Sequence, residues 1–271
     1  MKEKLLTIIL LLIFVLPVGM ADNIFMPSNS LPYNIFKTVE LPYASHATTT
    51  VFQDRKGMMW IGTYHGICRY DGYKTTLYMT DSTRLPKESV VMGIAQPDDN
   101  HLIVGTLGGL SYLNTTNGLS EPVSKPLNRI KSVRTMLILG DELWIGTMAE
   151  GLWKYNLKTQ KIQQIISPGI RLIRICALCP VGKTMYVGSV EGLFAVNMTN
   201  GHIRRISLPT THELVISLLW HPQDQSLLVG MEGQMCLYRP LQDKAEVSNI
   251  LPGSVCKSLV LDKHEIGRAH V

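Results

Sequence analysis

The stretch Met59-Trp60-Ile61-Gly62-Thr63-Tyr64-His65-Gly66-Ile67-Cys68-Arg69-Tyr70 decides the fold, because variants of it recur along the chain. Each variant has two consecutive apolar residues and then a glycine; the others are Ile103-Val104-Gly105-Thr106, Trp144-Ile145-Gly146-Thr147, Tyr186-Val187-Gly188-Ser189 and Leu228-Val229-Gly230-Met231. Successive glycines are 43, 41, 42 and 42 residues apart. Five copies at one period predict a repeat architecture of units near 42 residues.

The apolar pair predicts a strand that is buried on both faces, because neighbouring residues of a strand point to opposite sides of the sheet. A turn sequence such as Asp54-Arg55-Lys56-Gly57 precedes this strand and starts a hairpin. The predicted second strands of the five units are Met58–Thr63, His101–Thr106, Glu142–Thr147, Thr184–Ser189 and Ser226–Met231. Radially stacked four-stranded blades bury both faces of such strands, so we expect an all-β fold, a β-propeller with blades of about 42 residues. A β-solenoid usually has shorter coils, and no 3.6-residue period supports an α-solenoid.

The predicted domain boundaries follow the repeats. Residues 22–32 are expected to be a linker, and residues 33–265 an incomplete propeller. Its five complete blades are placed at about 46–80, 87–124, 130–167, 171–208 and 213–250, and a sixth begins at 254–262. Ile35–Val39 is predicted to be the outer strand of a final blade, and Ile173–Leu178 the first strand of the fourth. The ring is therefore expected to be truncated and open in this chain.

The first 21 residues have the pattern of a secretory signal peptide. Charges at Lys2, Glu3 and Lys4 precede an apolar run from Leu5 to Leu16, and small residues end at Ala21. Twelve helical residues reach about 18 Å, less than the roughly 30 Å hydrocarbon core of a membrane. We predict cleavage after Ala21, with an uncleaved N-terminal anchor as the alternative; in either case the repeats are exported.

The last six residues, Ile266–Val271, resemble the translation of a sequencing adapter and show no strand pattern. We expect residues 266–271 to be an artefact and exclude them from the fold prediction. The chain is accordingly expected to be a piece of a longer protein.

Composition argues against nucleic-acid binding and against redox or metal chemistry. The net charge of +5 is small and no run of Lys or Arg occurs, so we expect no nucleic-acid contact by this segment. Cys176 and Cys179 have CxxC spacing, but residues three apart on a strand point to opposite faces. We expect the five cysteines to be buried free thiols, and we expect no cofactor and no metal.

The segment from Val51 to Tyr73, with Asp54, Gly57 and Trp60-Ile61-Gly62-Thr63, closely resembles the two-component regulator propeller repeat. The resemblance covers about residues 33–262 and is looser in the fifth copy, where Met231 replaces the usual Thr. It implies the periplasmic sensor region of a hybrid two-component histidine kinase. In that family the complete region has two seven-bladed propellers and a β-sandwich, followed by a membrane helix and a kinase core.

The resemblance also implies partners. The family usually senses oligosaccharides, so the implied ligand is an oligosaccharide, and a homodimer is expected through the complete sensor region. No kinase motif occurs in this chain, which implies that this segment is not itself an enzyme. Membrane contact would come only from a missing downstream helix or from an uncleaved N-terminal segment.

The ligand-binding candidates lie on one face of the predicted ring, which we call the rim. It carries the loops between second and third strands and the connections from one blade to the next. The candidates on it are His46, Tyr64, His65, Arg134, Glu150, Arg174, Glu191 and His212. Arg134 and Arg174 are predicted at matching places in successive first strands, facing the central channel. Aromatic and hydrogen-bonding side chains suit sugar binding, but each could simply be a solvated loop residue.

These patterns favour an exported sensor propeller that regulates carbohydrate utilisation. Two alternatives stay open: a propeller-fold lyase or glycosidase, and a protein-binding propeller of another membrane-tethered transcription regulator. No nucleophile elbow, phosphate loop or carboxylate pair at a diagnostic spacing supports an enzyme.

Overall fold

The computed structural model describes residues 39, 41, 47–78, 90–170, 172–248, 253, 255–261 and 267–270. The chain divides into two compact units, Met1–Glu40 and Leu41–Val271, and all elements below lie in the second. The predicted signal peptide 1–21, the linker 22–32, residues 35–38 of the predicted outer strand and His46 lie outside the described residues.

Five four-stranded antiparallel sheets follow one another, each with its strands hydrogen-bonded in chain order. Blade 1 consists of β1 (Thr48–Gln53), β2 (Met59–Thr63), β3 (Gly66–Tyr70) and β4 (Thr75–Tyr78). Blade 2 consists of β5 (Val91–Ala95), β6 (His101–Thr106), β7 (Gly109–Asn114) and β8 (Ser120–Glu121). Blade 3 consists of β9 (Val133–Leu139), β10 (Glu142–Thr147), β11 (Leu152–Asn156) and β12 (Ile162–Ile165).

Blade 4 consists of β13 (Ile175–Val181), β14 (Thr184–Ser189), β15 (Gly192–Asn197) and β16 (Ile203–Ile206). Blade 5 consists of β17 (Val215–His221), β18 (Ser226–Met231), β19 (Met235–Arg239) and β20 (Lys244–Ser248). The first strands contact one another from blade to blade and so form the inner layer. The predicted fold of four-stranded propeller blades is confirmed.

The second strands match the prediction to within one residue, whereas some other elements differ. Strand β13 begins at Ile175 rather than at the predicted Ile173. A short helix, α1 (Lys125–Asn128), lies in the connection between blades 2 and 3 and was not predicted. Pro126 in its first turn is compatible with a helix start, but four residues are too few to show a helical period.

Each second strand supplies side chains to two cores, which confirms its burial on both faces. In β10, Leu143 and Ile145 pack in the core between blades 2 and 3. Trp144 points the other way into the core between blades 3 and 4. All three side chains are at most 2% exposed. No blade therefore has a complete core without its neighbour.

A close contact between blades explains the repeated glycine. Ile175, at the start of β13, packs against Gly146 of the preceding blade, and a Cβ on Gly146 would lie 2.6 Å from its Cγ2 atom. The same contact joins Val91 to Gly62, Val133 to Gly105 and Val215 to Gly188. Glycine is required here because a β-branched side chain occupies the space that a Cβ would need.

A β-bulge follows this contact in every first strand. In β13, Ile175 pairs with Ser189 and Ala177 with Gly188, which leaves Cys176 without a partner residue. The bulged residues of the five blades are Thr49, Met92, Arg134, Cys176 and Ile216. A bulge changes the direction of a side chain at a fixed place, so five equivalent positions on the inner layer are set by the backbone.

The sixth unit begins with β21 (Ser258–Leu261), which packs against β17 and pairs with β22 (Gly267–His270). The expectation of no strand in residues 266–271 is therefore wrong. Backbone groups of a strand edge can pair with a segment that has no side-chain pattern, because the bonds are made by the main chain.

All five cysteines are free, as predicted. Cys68, Cys179, Cys236 and Cys256 are buried, while Cys176 is partly exposed. Burial raises the pKa of Cys68, Cys179 and Cys236 from 9.0 to about 11. These thiols therefore stay protonated and inert at neutral pH.

We predict that the Gly146→Ala substitution lowers the free energy of unfolding by about 1–3 kcal/mol, because its Cβ overlaps Ile175. The matched control is Gly93→Ala, whose Cβ would meet Met136 only at 3.4 Å. We expect the control to lose less than about 1 kcal/mol. Urea denaturation measures both, and equal losses would contradict the steric explanation.

We predict that stability falls as the pH rises from about 9 to about 11. The unfolded thiols ionise near 9.0, whereas burial keeps Cys68, Cys179 and Cys236 protonated to about 11. Their contribution is thus complete below pH 9 and is lost through this interval. Urea midpoints at pH 8 and 10.5 measure the loss, which should be smaller in Cys236→Ala; a midpoint independent of pH would argue against it.

Candidate functional site

The loops of the rim are held by a hydroxyl group at the end of each second strand. Thr147 is 0% exposed, and its Oγ1 donates to the carbonyl oxygen of Gly151 at 2.9 Å. The same oxygen accepts from the backbone N of Glu150 at 2.9 Å. The equivalent hydroxyl groups, each bonded to the following glycine carbonyl, belong to Thr63, Thr106 and Ser189. This local motif fixes the loop backbone and leaves the loop side chains free to vary.

The fifth loop lacks this hydroxyl group. Met231 takes its place, and its backbone N donates to the carbonyl oxygen of Gln234 at 3.1 Å. Its Sδ instead packs 3.8 Å from the Sγ of Cys236. Backbone bonding and sulfur packing therefore replace the hydroxyl at the site where the repeat is least regular.

A series of backbone hydrogen bonds connects the rims of blades 2, 3 and 4. Ser132 N donates to Leu107 O at 2.9 Å, and Met148 N donates to Ser132 O at 2.8 Å. Arg174 N then donates to Met148 O at 3.1 Å. The connections between blades are thus bonded to the loops of the preceding blade, and both lie on one face as predicted.

The structure places the other candidates as follows. Tyr64, His65, Arg174 and His212 are exposed, while Arg134, Glu150 and Glu191 are partly buried. Tyr64 and His65 lie together in the β2–β3 loop, far along the chain from His212. Their assignment as ligand-binding residues stays a prediction.

Arg134 and Arg174 do not occupy matching places, and this expectation is wrong. The residue equivalent to Arg134 is Cys176, since both are the bulged residue of their strands. Arg174 corresponds to Ser132, and both have a left-handed backbone, with φ of 47° and 51°. The bulge shifts the register by two residues, which the spacing of the glycines does not show.

A cavity of about 420 Å³ opens on the rim at blade 4. It is lined by Gly192, Arg205, Ile206, Ser207, Leu208, Thr210, His212 and Glu213. One predicted residue, His212, thus lines a cavity, and Glu191 is the chain neighbour of its Gly192. The volume lies within the range of pockets for small ligands.

Arg205 is the charged residue in this cavity that sequence reasoning missed. Its Nη2 lies 2.5 Å from Oε1 of Glu213. Its Nε would be 3.5 Å from a Cβ on Gly192, so the missing side chain leaves room for the guanidinium. Arg205 belongs to outer strand β16, whereas the prediction considered loops; a basic residue at the rim end of an outer strand is a signal that was available.

The cavity can bind a ligand rich in hydroxyl groups. Arg205 offers donors, Glu213 acceptors, and Ser207, Thr210 and His212 can do both. Within the described residues there is no group of three His, Cys, Asp or Glu side chains arranged to hold a metal. No helix in the described part of the chain is long and apolar enough to span a membrane.

The comparisons with known proteins agree with this architecture. The profile of the two-component regulator propeller family matches residues 42–65. The resemblance to two-component regulator propeller repeats is confirmed. No curated protein sequence matches the chain.

The similar solved structures include the extracellular domain of BT4673 from B. thetaiotaomicron, described once as a proposed one component system and once as a proposed hybrid two component system. The first has 27% identity and a TM-score of 0.78 and covers 88% of this chain; the second has 26% and 0.77 over 86%. The extracellular domain of BT3049, a proposed hybrid two component system of the same organism, has 16% identity and a TM-score of 0.71 over 83%. This chain spans about a third of these structures, 32% of each.

We predict that Thr147→Val lowers the free energy of unfolding by about 1–3 kcal/mol, because buried backbone groups of the loop lose their partner. Thr147→Ser keeps the hydroxyl group and is the matched control, with a smaller loss. Urea denaturation and amide exchange at Glu150 measure the effect. Equal behaviour of the two variants would show that the hydroxyl does not hold the loop.

Proposed function

We propose that this chain is part of the exported sensor region of a hybrid two-component histidine kinase that regulates carbohydrate utilisation. The observation that carries the proposal is the likeness to the extracellular domain of BT4673, at 27% identity over 88% of the chain. The signal-peptide pattern of residues 1–21 supports export to the periplasm.

In this proposal the rim cavity at blade 4 binds an oligosaccharide. Its polar groups come from two neighbouring connections, the end of β16 and the loop from Ser207 to Glu213. Sugar hydroxyl groups can replace water on Arg205 and His212 without a need to bury a charge unpaired, because Arg205 keeps Glu213 as its partner. A volume of about 420 Å³ holds one or two sugar rings.

The remaining partners of the proposal concern the parent protein. A homodimer through the complete sensor region would carry the signal, and a downstream membrane helix would connect it to the kinase. The segment itself performs no catalytic step in this proposal. Nucleic acid is not among its partners.

The lyase or glycosidase alternative has less support. It needs a base or a carboxylate placed to act on the substrate, and His212 and Glu213 are the two candidates in the cavity. Glu213 is already paired with Arg205 at 2.5 Å. The protein-binding alternative differs in its ligand, which a binding screen decides.

We predict that an oligosaccharide from a screen of plant and host glycans binds the purified chain and that Arg205→Ala weakens binding at least about tenfold. The matched control is Arg239→Ala. Arg239 also pairs with a glutamate at 2.5 Å, but it lies next to the turn between β19 and β20 on the opposite face.

Isothermal titration calorimetry with each variant measures the affinity. Weaker binding by Arg205→Ala and unchanged binding by Arg239→Ala support the cavity. A screen in which no oligosaccharide binds would remove the proposed carbohydrate ligand, and binding that ignores Arg205 would place it elsewhere.

A further inference from the structure

Arg134 has an unusual environment for an arginine of the inner layer. The bulge in β9 directs its side chain toward the first strands of the two adjacent blades. Its Nη1 lies 3.9 Å from the Sδ of Met92 in blade 2. The thiol of Cys176, the bulged residue of blade 4, is its neighbour on the other side. A partly buried guanidinium with five N–H donors thus has only weak sulfur acceptors beside it.

Arg174 brings a second positive charge to the same thiol. Cys176 Sγ donates to the carbonyl oxygen of Arg174 at 3.4 Å. Burial raises the pKa of Cys176, and the guanidinium groups of Arg134 and Arg174 oppose that rise. The backbone of Arg174 is fixed by its bond to Met148 O and by its left-handed conformation, so its position is set by the rim itself.

Counter-ions are distributed unequally over the two faces. The described residues contain eight ion pairs. Seven of them involve residues at the hairpin turns of the face opposite the rim. Only Arg205–Glu213 lies on the rim, and among the described residues neither Arg134 nor Arg174 has a carboxylate within ion-pair distance.

A partly buried positive charge without a counter-ion is unfavourable, and a bound anion relieves that cost. The planar guanidinium group suits carboxylate and sulfate in particular, because it presents two parallel N–H donors to two oxygen atoms. Two such groups on neighbouring blades, with a thiol between them, can hold one anionic group.

We propose that Arg134 and Arg174 together bind the carboxylate or sulfate group of an acidic oligosaccharide. The proposal rests on the proposed function, because it takes a carbohydrate as the ligand and names its charged class. It assigns the anionic group to the inner end of the rim, at the junction of blades 3 and 4.

The experiment compares three probes on the purified chain: an oligogalacturonate trimer, a chondroitin sulfate tetrasaccharide and a neutral galactan oligomer. Inorganic sulfate is a fourth probe. The variants are Arg134→Gln and Arg174→Gln, and the matched control is Arg55→Gln. Arg55 pairs with the exposed Asp99 at 2.9 Å on the opposite face and loses the same charge. Arg134→Lys retains a charge at the site and shows whether loss of fold explains the result.

We expect at least one acidic probe to bind more tightly than the neutral one, with an affinity that falls as the salt concentration rises. Each Gln variant should weaken it about 10- to 100-fold, Arg134→Lys less, and Arg55→Gln not at all. Calorimetry gives the affinities, and circular dichroism checks that the variants fold.

Each other outcome has a distinct meaning. Binding of the neutral oligomer without preference for acidic probes overturns this inference and leaves the proposed function in place. Binding of inorganic sulfate that depends on Arg134, with no binding of any sugar, retains an anion site and overturns the carbohydrate function. Acidic binding that both Gln variants retain overturns the assignment to these two arginines.

Discussion

The contact of a glycine with a β-branched side chain of the next blade is the constraint on which the rest of the structure depends. At Gly105 the space is taken by Val133, and at Gly146 by Ile175. Because the glycine lies at the centre of a strand that is buried on both faces, this contact sets the distance between successive sheets. It also fixes where each first strand begins, and the bulge follows one residue later. One steric requirement thus determines blade spacing, strand register and the direction of one inner side chain per blade.

The rim separates what must be constant from what can vary. The hydroxyl groups of Thr63, Thr106 and Thr147 are completely buried and bonded to the backbone, so they serve the loop conformation alone. The residues after them are exposed or partly exposed and differ from blade to blade. Changes there leave the cores intact, because the cores are made by the strands. A propeller can therefore acquire a new ligand through its loops without a loss of stability.

Sequence reasoning succeeded where local patterns determine the structure. The apolar pair before each glycine located the second strands to within one residue, because burial on both faces leaves a period in the sequence. It failed where the outcome depends on register or loop conformation. The bulge made Arg134 equivalent to Cys176 rather than to Arg174, and no residue type marks a bulge. Arg205 enters the cavity because the connection from Ser207 to Glu213 folds back over β16, a path that composition does not specify.

The unequal distribution of ion pairs follows from their small contribution to stability. The pairs on the turn face are mostly exposed, as in Arg55–Asp99 and Lys158–Asp141, and such pairs contribute less than about 1 kcal/mol each. Their absence from the rim therefore costs the fold little. Selection for stability does not require a counter-ion beside Arg174, whose side chain is exposed, but the partly buried Arg134 is different. Its charge is costly without a partner, and an arginine in that place is best explained by a ligand that supplies the missing charge.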